Sequence, residues 1–228
     1  APVLATACTF TTQGTTMTLD GDCTTDTTIL IPDGFTLNGN NHVITAIDPT
    51  AGHFVGAVVR NAGATAYVQQ LKITTSSLAN VCDAGNDRLR GIMFEGASGS
   101  ILHTAVDDLN QGPSGCQEGN AIEVRNAPFD GTHPNTKQVD VGYNMLTDYQ
   151  KTGIVANGDV DVNVHHNHIG ASATQANLAA NSLQFGFGAL GAAAFNLIDG
   201  NQWLGTSNFA ATAILLFSSD IVDVSQNV

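Results

Sequence analysis

The chain has 228 residues, 43% of them hydrophobic, which is ample for a core in one long domain or two short ones and too many for a disordered polymer. Aspartate and glutamate outnumber lysine and arginine by 20 to 7, and the resulting formal charge of -13 repels nucleic acid and anionic lipid at long range. No apolar run approaches the roughly 20 residues that a membrane-crossing helix needs, so neither a nucleic-acid partner nor membrane insertion is expected.

In chain order, residues 1 to 26 come first. They open "APVLATACTF", which has the look of a mature end left by signal-peptide cleavage and predicts a secreted or cell-surface protein. The four cysteines lack the close spacing of a zinc knuckle, and an even number in a chain poor in lysine suits an oxidising compartment. The expected pairs are Cys8 with Cys23 and Cys82 with Cys116. The first would clamp "TFTTQGTTMTLDG" as a short irregular cap on the rest of the chain.

From residue 27 onward the chain repeats. Four segments align on an asparagine: "VDVGYNML", "VNVHHNHI", "GAAAFNLI" and "VDVSQNV", with Asn144, Asn167, Asn196 and Asn227. Weaker copies run upstream, at 27 to 46, at 56 to 73 with Leu71 in the asparagine slot, and at 90 to 108 with Thr104 there. Small or apolar residues three and five positions before each asparagine give the alternation of a half-buried strand. Thirteen residues before the last three asparagines another short apolar strand begins, at Ile154, Leu183 and Ile214. Each unit reads strand, turn, strand, asparagine bend, strand. Spacings of 23, 29 and 31 residues between the asparagines fit a solenoid with insertions in one turn. Coils stacked about 4.8 Å apart would pair every strand edge with a neighbour, and inward asparagines could bond each other from coil to coil. The prediction is an all-β right-handed parallel β-helix of about seven coils, one domain over 1–228 with its coils in 27–228.

On these repeats the chain, over roughly residues 27 to 228, resembles the pectate-lyase-like β-helix superfamily, including secreted proteins built from "G-I-x-V…N-x-I" units. The resemblance is specific for fold rather than reaction. It implies polysaccharide chemistry: β-elimination, hydrolysis or uronate epimerisation. "VDD" at 106 to 108 is similar to the paired aspartates of polygalacturonases, but their Asn-Thr-Asp, Gly-His-Gly and Arg-Ile-Lys motifs are absent. So are the Arg-x-Pro-x-x-Arg signature of pectate lyases and the Tyr-Gly-Phe-Asp-Pro-His type of alginate epimerases.

"VHHNHIG" at 164 to 170 holds three of the seven histidines. With Val162, Val164, Asn167 and Ile169 facing inward, His165, His166 and His168 face outward at one bend. Gly142, Tyr143 and Met145 flank them on one side and Ala194, Phe195 and Leu197 on the other, with no carboxylate or cysteine stacked beside them. Surface packing is expected there, and no metal. "NGDVDVN" offers Asn157, Asp159, Asp161 and Asn163 on one outward face as oxygen ligands, so calcium is the one candidate cofactor, although an extended strand wraps an ion poorly.

The remaining charges are segregated. All three glutamates, Glu95, Glu118 and Glu123, and five of the seven cations, Arg88, Arg90, Arg125, Lys137 and Lys151, fall between residues 88 and 151, and of these cations Arg88, Arg90, Arg125 and Lys151 lie beside first strands. They flank the first strand of three successive coils. With Ile92, Ile122 and Ile154 inward, Met93, Glu123 and Val155 form one outward column and Glu95, Arg125 and Asn157 the next. Arg90, Asn120, Thr152 and Asn181 line the edge where each coil begins. Two long insertions joined by Cys82 and Cys116, with a third at 170 to 181, would bound a groove, and loops on a rigid scaffold are where binding residues concentrate. The expected function is carbohydrate binding by Arg88, Arg90, Arg125, Asn120, Asn181 and Gln184. Catalytic candidates are Glu123, Lys151 and Glu118, with Lys151 or Arg125 as the base of an elimination or Glu118 and Glu123 as the carboxylate pair of a hydrolase. The competing expectation is a ladder of salt bridges on a non-catalytic structural or surface-assembly protein. In that reading homo-oligomers form through the last coil, where Ile214, Leu216, Val222 and Val224 lie beneath an open rung.

Overall fold

The structure, a computed structural model, describes residues 6–129, 137–173, 177–206 and 208–228. The strands form three sheets in which the strands of successive coils pair in parallel, coil on coil, giving a parallel β-solenoid. The two disulfides join Cys8 to Cys23 and Cys82 to Cys116. The registers follow the repeat: Ile29, Val59, Ile92, Ile122, Ile154, Leu183 and Ile214 make one inward column. Val68, Ile101, Val141, Val164 and Ala193 make another. Ile44, Ile73, Val106, Leu146 and Ile169 make the third. These columns fill a continuous dry core, because no single coil has a second layer to cover its apolar face.

Six complete coils are present among the described residues, from Ile29–Ile31, Phe35–Asn38 and Val43–Ala46 to Asn181–Gly186, Leu190–Ala194 and Leu197–Ile198. The expected seventh unit contributes two strands only, Thr212–Phe217 and Val222–Ser225. The cap also differs from expectation. Phe10–Gln13 and Thr16–Leu19 form an antiparallel hairpin whose second strand continues the second sheet, so the cap is regular. Alternating threonine favours strand, and Gly14 with φ of 57° takes the first central position of the two-residue turn, where a glycine is wanted.

The asparagine bend holds the coils in register. Asn144 donates from its backbone N and its Nδ2 to Asn167 Oδ1, at 3.0 and 2.9 Å. Asn167 does the same to Asn196, and Asn196 to Asn227. Each Nδ2 also reaches a strand carbonyl one coil back, as Asn167 does to Val141 at 2.9 Å. Thr104 closes the ladder with its hydroxyl, donating to Asn144 Oδ1 at 2.8 Å. The residue before each rung, Gln70, His103, Tyr143, His166, Phe195 and Gln226, has φ of 52° to 59°. That left-handed conformation is costly for a side chain with Cβ, and it persists because the surrounding bonds over-determine it.

Candidate functional site

On the outer face of the first sheet, the strands Arg90–Glu95, Asn120–Asn126, Thr152–Gly158 and Asn181–Gly186 place the expected columns side by side: Met93, Glu123 and Val155, then Glu95, Arg125 and Asn157. Solvent does not reach all of this face. Met93, Glu123 and Val155 are buried, because the long insertions rise over them. Cys82–Cys116 staples two of those insertions, with Cα atoms 5.0 Å apart. Between the walls lies a cleft of about 260 Å³, lined by Arg88, Arg90, Asn120, Glu123, Arg125, Lys151, Asn157 and Gln184 and flanked by Phe129 and Phe187.

The floor is an ion network. Arg90 donates from Nε to Glu123 Oε2 at 2.5 Å, and its terminal nitrogens reach the carbonyls of Arg88 and Gly85 at 2.7 and 3.0 Å. Asn120 donates to the same Glu123 oxygen at 2.9 Å. Arg125 pairs with Glu95 and with Asn86 Oδ1, lies 3.5 Å from Glu123 Oε1, and covers the Phe129 ring at 5.7 Å. Arg90 is only 2% exposed, so removing its partner would strand a charge in low dielectric. The ladder of paired charges is therefore real, and it forms the floor of a cleft rather than a flat wall.

The rims carry two cations that meet no carboxylate among the described residues. Lys151 donates from Nζ to the Ala179 carbonyl at 2.6 Å, and burial pushes its pKa below the ordinary lysine value. Arg88 is half-buried and donates weakly from Nε to the Asp83 carbonyl at 3.4 Å. Four of the chain's seven cations thus meet here against Glu123 and Glu95, a local surplus of two positive charges (four minus two) in a chain of net charge -13. Beyond the cations runs an aromatic rim: Phe129 stacks on Phe187 at 5.4 Å, and Phe187 meets Phe217 edge-on at 5.4 Å.

Glu118 lies elsewhere. It is wholly buried, and accepts from the backbone N of Asp83 at 3.0 Å and of Leu89 at 2.7 Å. Glu118 locks the loop that Cys82 anchors and does not line the cleft, so it offers no second carboxylate beside Glu123. Asn181 also sits outside the lining; it accepts from Thr212 Oγ1 at 2.7 Å and donates to Gln184 Oε1 at 3.2 Å, and Gln184 in turn donates to Asn157 Oδ1 at 3.2 Å. Asn181 therefore positions Gln184. Of the third insertion, residues 174–176 lie outside the described residues, while Ala179 supplies the carbonyl to Lys151.

The four oxygen-bearing residues of "NGDVDVN" do not share a face. Asn157 belongs to the first sheet and lines the cleft, whereas Asp161 and Asn163 lie on the second sheet beyond the bend at Asp159. The histidines also depart from expectation, because carboxylates do reach them. His165 Nε2 lies 2.9 Å from Asp140 Oδ1 and His168 Nε2 lies 3.0 Å from Asp199 Oδ2. His165 stands beside Gly142, and the missing side chain lets its ring fold back across the neighbouring coil: a Cβ on Gly142 would stand 2.5 Å from His165 Cε1. No helix among the described residues is long and apolar enough to cross a membrane. No family model, curated protein or solved structure matches the chain.

Proposed function

We propose that the protein is a secreted carbohydrate-binding β-helix whose cleft takes a sugar bearing a carboxylate. One observation carries this reading: Arg88 and Lys151, each without a carboxylate partner among the described residues, rim a cleft whose surplus positive charge stands against a chain of net charge -13. An anion entering it meets two cations already half-buried on folding, and the lowered local dielectric strengthens the pairing. Phe129 and Phe187 offer apolar surface to a sugar ring, while Gln184 and Asn157 offer polar contacts to its hydroxyls. The two disulfides fit an oxidising compartment. Among the reactions that the superfamily resemblance implies, hydrolysis by a carboxylate pair finds a single carboxylate in the described lining, Glu123, held by Arg90. Elimination suits the residues better, with Arg88 holding the carboxylate and Lys151, once it has lost its proton more readily because of burial, as the base.

A glycan array probed with the intact protein, with Arg88→Ala and with Lys151→Met tests the reading. Expected is retention of acidic oligosaccharides over neutral ones, lost in both variants; equal binding of neutral and acidic glycans, or none, counts against it.

A further inference from the structure

We propose that His165 and His166 form a copper(II) site on the asparagine bend, with Asp140 as the carboxylate behind it. This site lies on the second sheet, away from the cleft, and is independent of the carbohydrate reading. His165 ends the strand Val160–His165, and its ring occupies the space that Gly142 leaves free. Its Nε2 faces Asp140 Oδ1 at 2.9 Å, and Asn163 Nδ2 donates to the same oxygen at 2.9 Å, holding the carboxylate. A carboxylate accepts, so the His165 proton resides on Nε2 and the Nδ1 lone pair is free. That Nδ1 lies 3.0 Å from Nδ1 of His166, with the two rings at 83°. The His166 ring is itself clamped between Tyr143 and Phe195, at 5.0 and 5.2 Å, on a backbone fixed at φ 54°.

Two imidazole nitrogens at this separation are either bridged by a proton, donated by His166 Nδ1–H, or by a metal ion. In the second case the His166 proton moves to the solvent-facing Nε2 and no net charge is lost from the ring. For metal–nitrogen bonds of about 2.0–2.1 Å, adjacent ligands at a right angle stand roughly 2.8–3.0 Å apart, whereas a tetrahedral ion spreads them to roughly 3.3–3.4 Å. The observed 3.0 Å is within a few tenths of an ångström of either geometry, and copper(II) is favoured because it binds nitrogen most tightly among the divalent ions of its row and accepts two imidazoles with water in a tetragonal set. A histidine whose far nitrogen is held by a carboxylate is the usual arrangement of a metal ligand, because it fixes the tautomer and raises basicity. No third histidine, cysteine or carboxylate joins the pair among the described residues; water completes the coordination, and the -13 net charge attracts the cation.

The test is titration of the chelator-stripped full chain with copper(II) chloride at neutral pH, followed by calorimetry and electron paramagnetic resonance. Expected is one copper per chain with an axial spectrum split by two imidazole nitrogens. Affinity falls at least tenfold in His166→Gln and His165→Ala, falls about ten- to a hundredfold in Asp140→Asn, and is unchanged in His168→Ala. Thermal melting of each metal-free variant confirms that it folds. Absence of stoichiometric copper in the wild type, undiminished binding in His166→Gln, or an unchanged affinity in Asp140→Asn each overturns the assignment. So does nitrogen NMR that still shows a proton on His166 Nδ1 in excess copper, since the pair is then held by the proton alone.

Discussion

Replacing Asn167 with alanine removes one rung from the ladder that fastens the coils. Its Oδ1 accepts from the backbone N and the Nδ2 of Asn144, and its Nδ2 donates to the Val141 carbonyl and to Asn196 Oδ1, all between 2.9 and 3.0 Å. Two of those partners retain another bond: Asn144 Nδ2 still reaches the Ile101 carbonyl, and Asn196 Oδ1 still accepts from the backbone N of residue 167. The Asn144 N–H loses its acceptor, deep in the core and out of reach of water, whereas the Val141 carbonyl keeps the His165 N–H that the parallel register gives it. At about 1–3 kcal/mol for the one buried group left without a partner, and with the left-handed backbone of His166 losing one of its constraints, the variant is expected to lose roughly 2–3 kcal/mol. Urea unfolding of the wild type, Asn167→Ala and Asn227→Ala measures it. The Asn227 variant is the control, because that residue is half-buried on the last coil and holds only Asn196 and the Ala193 carbonyl. A loss below about 1 kcal/mol at Asn167, or one no larger than at Asn227, would refute the view that the ladder rather than apolar stacking sets the register.

Glu123→Gln keeps the shape of the cleft floor and removes its charge; Arg90 retains its carbonyl partners, so the expected cost is about 2–3 kcal/mol, at the lower edge of what breaking a buried pair costs, read by denaturant midpoint. A cost within error of zero would mean that solvent screens the network. Cys82→Ser with Cys116→Ser opens a loop with a sequence separation of 34 and is expected to cost roughly 3–4 kcal/mol on the chain-entropy estimate; limited proteolysis should then cut between 82 and 116 before anywhere else. Acidic-glycan affinity should decline in alkaline solution at a pH below the ordinary lysine value, because burial lowers the Lys151 pKa and the ammonium is lost as pH rises through it. The same residue opposes folding near neutrality, since the unfolded chain holds that proton more tightly; this penalty is relieved as pH rises between the folded and unfolded values, so Lys151→Met should be no less stable than wild type at neutral pH.

The coils were legible because a solenoid writes its register into the sequence: an asparagine with apolar residues at fixed offsets leaves one solution for which side chains face inward. The outward columns came with it, which is why Glu123 beside Met93 and Arg125 beside Glu95 were expected from the sequence. Side chains outside the strands were not legible. Glu118 sits two residues before Asn120–Asn126, and nothing in its position says that it turns inward to cap Asp83 and Leu89 rather than face the groove. The tie between Asp140 and His165 was missed for a different reason. Column arithmetic pairs His165 with Gly142, and a glycine looks like an absent neighbour, whereas physically it is a gap into which the next ring folds. The aromatic rim had a sequence signal, Phe129, Phe187 and Phe217 each at or just past the end of a first strand, but only lateral stacking of the coils reveals that they meet.

Selection of a sugar by its carboxylate is what the proposed function asks of the cleft between Arg88 and Lys151. The most direct test is calorimetric titration of the intact protein with an oligouronate and with the same oligosaccharide after its carboxyl groups are reduced to alcohols, which preserves length, linkage and ring shape. Expected is saturable binding of the acid form, at least tenfold weaker or absent for the reduced form, and weakening with added salt as the charge pairing is screened. Equal affinity for both forms, or acid binding that survives in Arg88→Ala, Lys151→Met, would contradict the account.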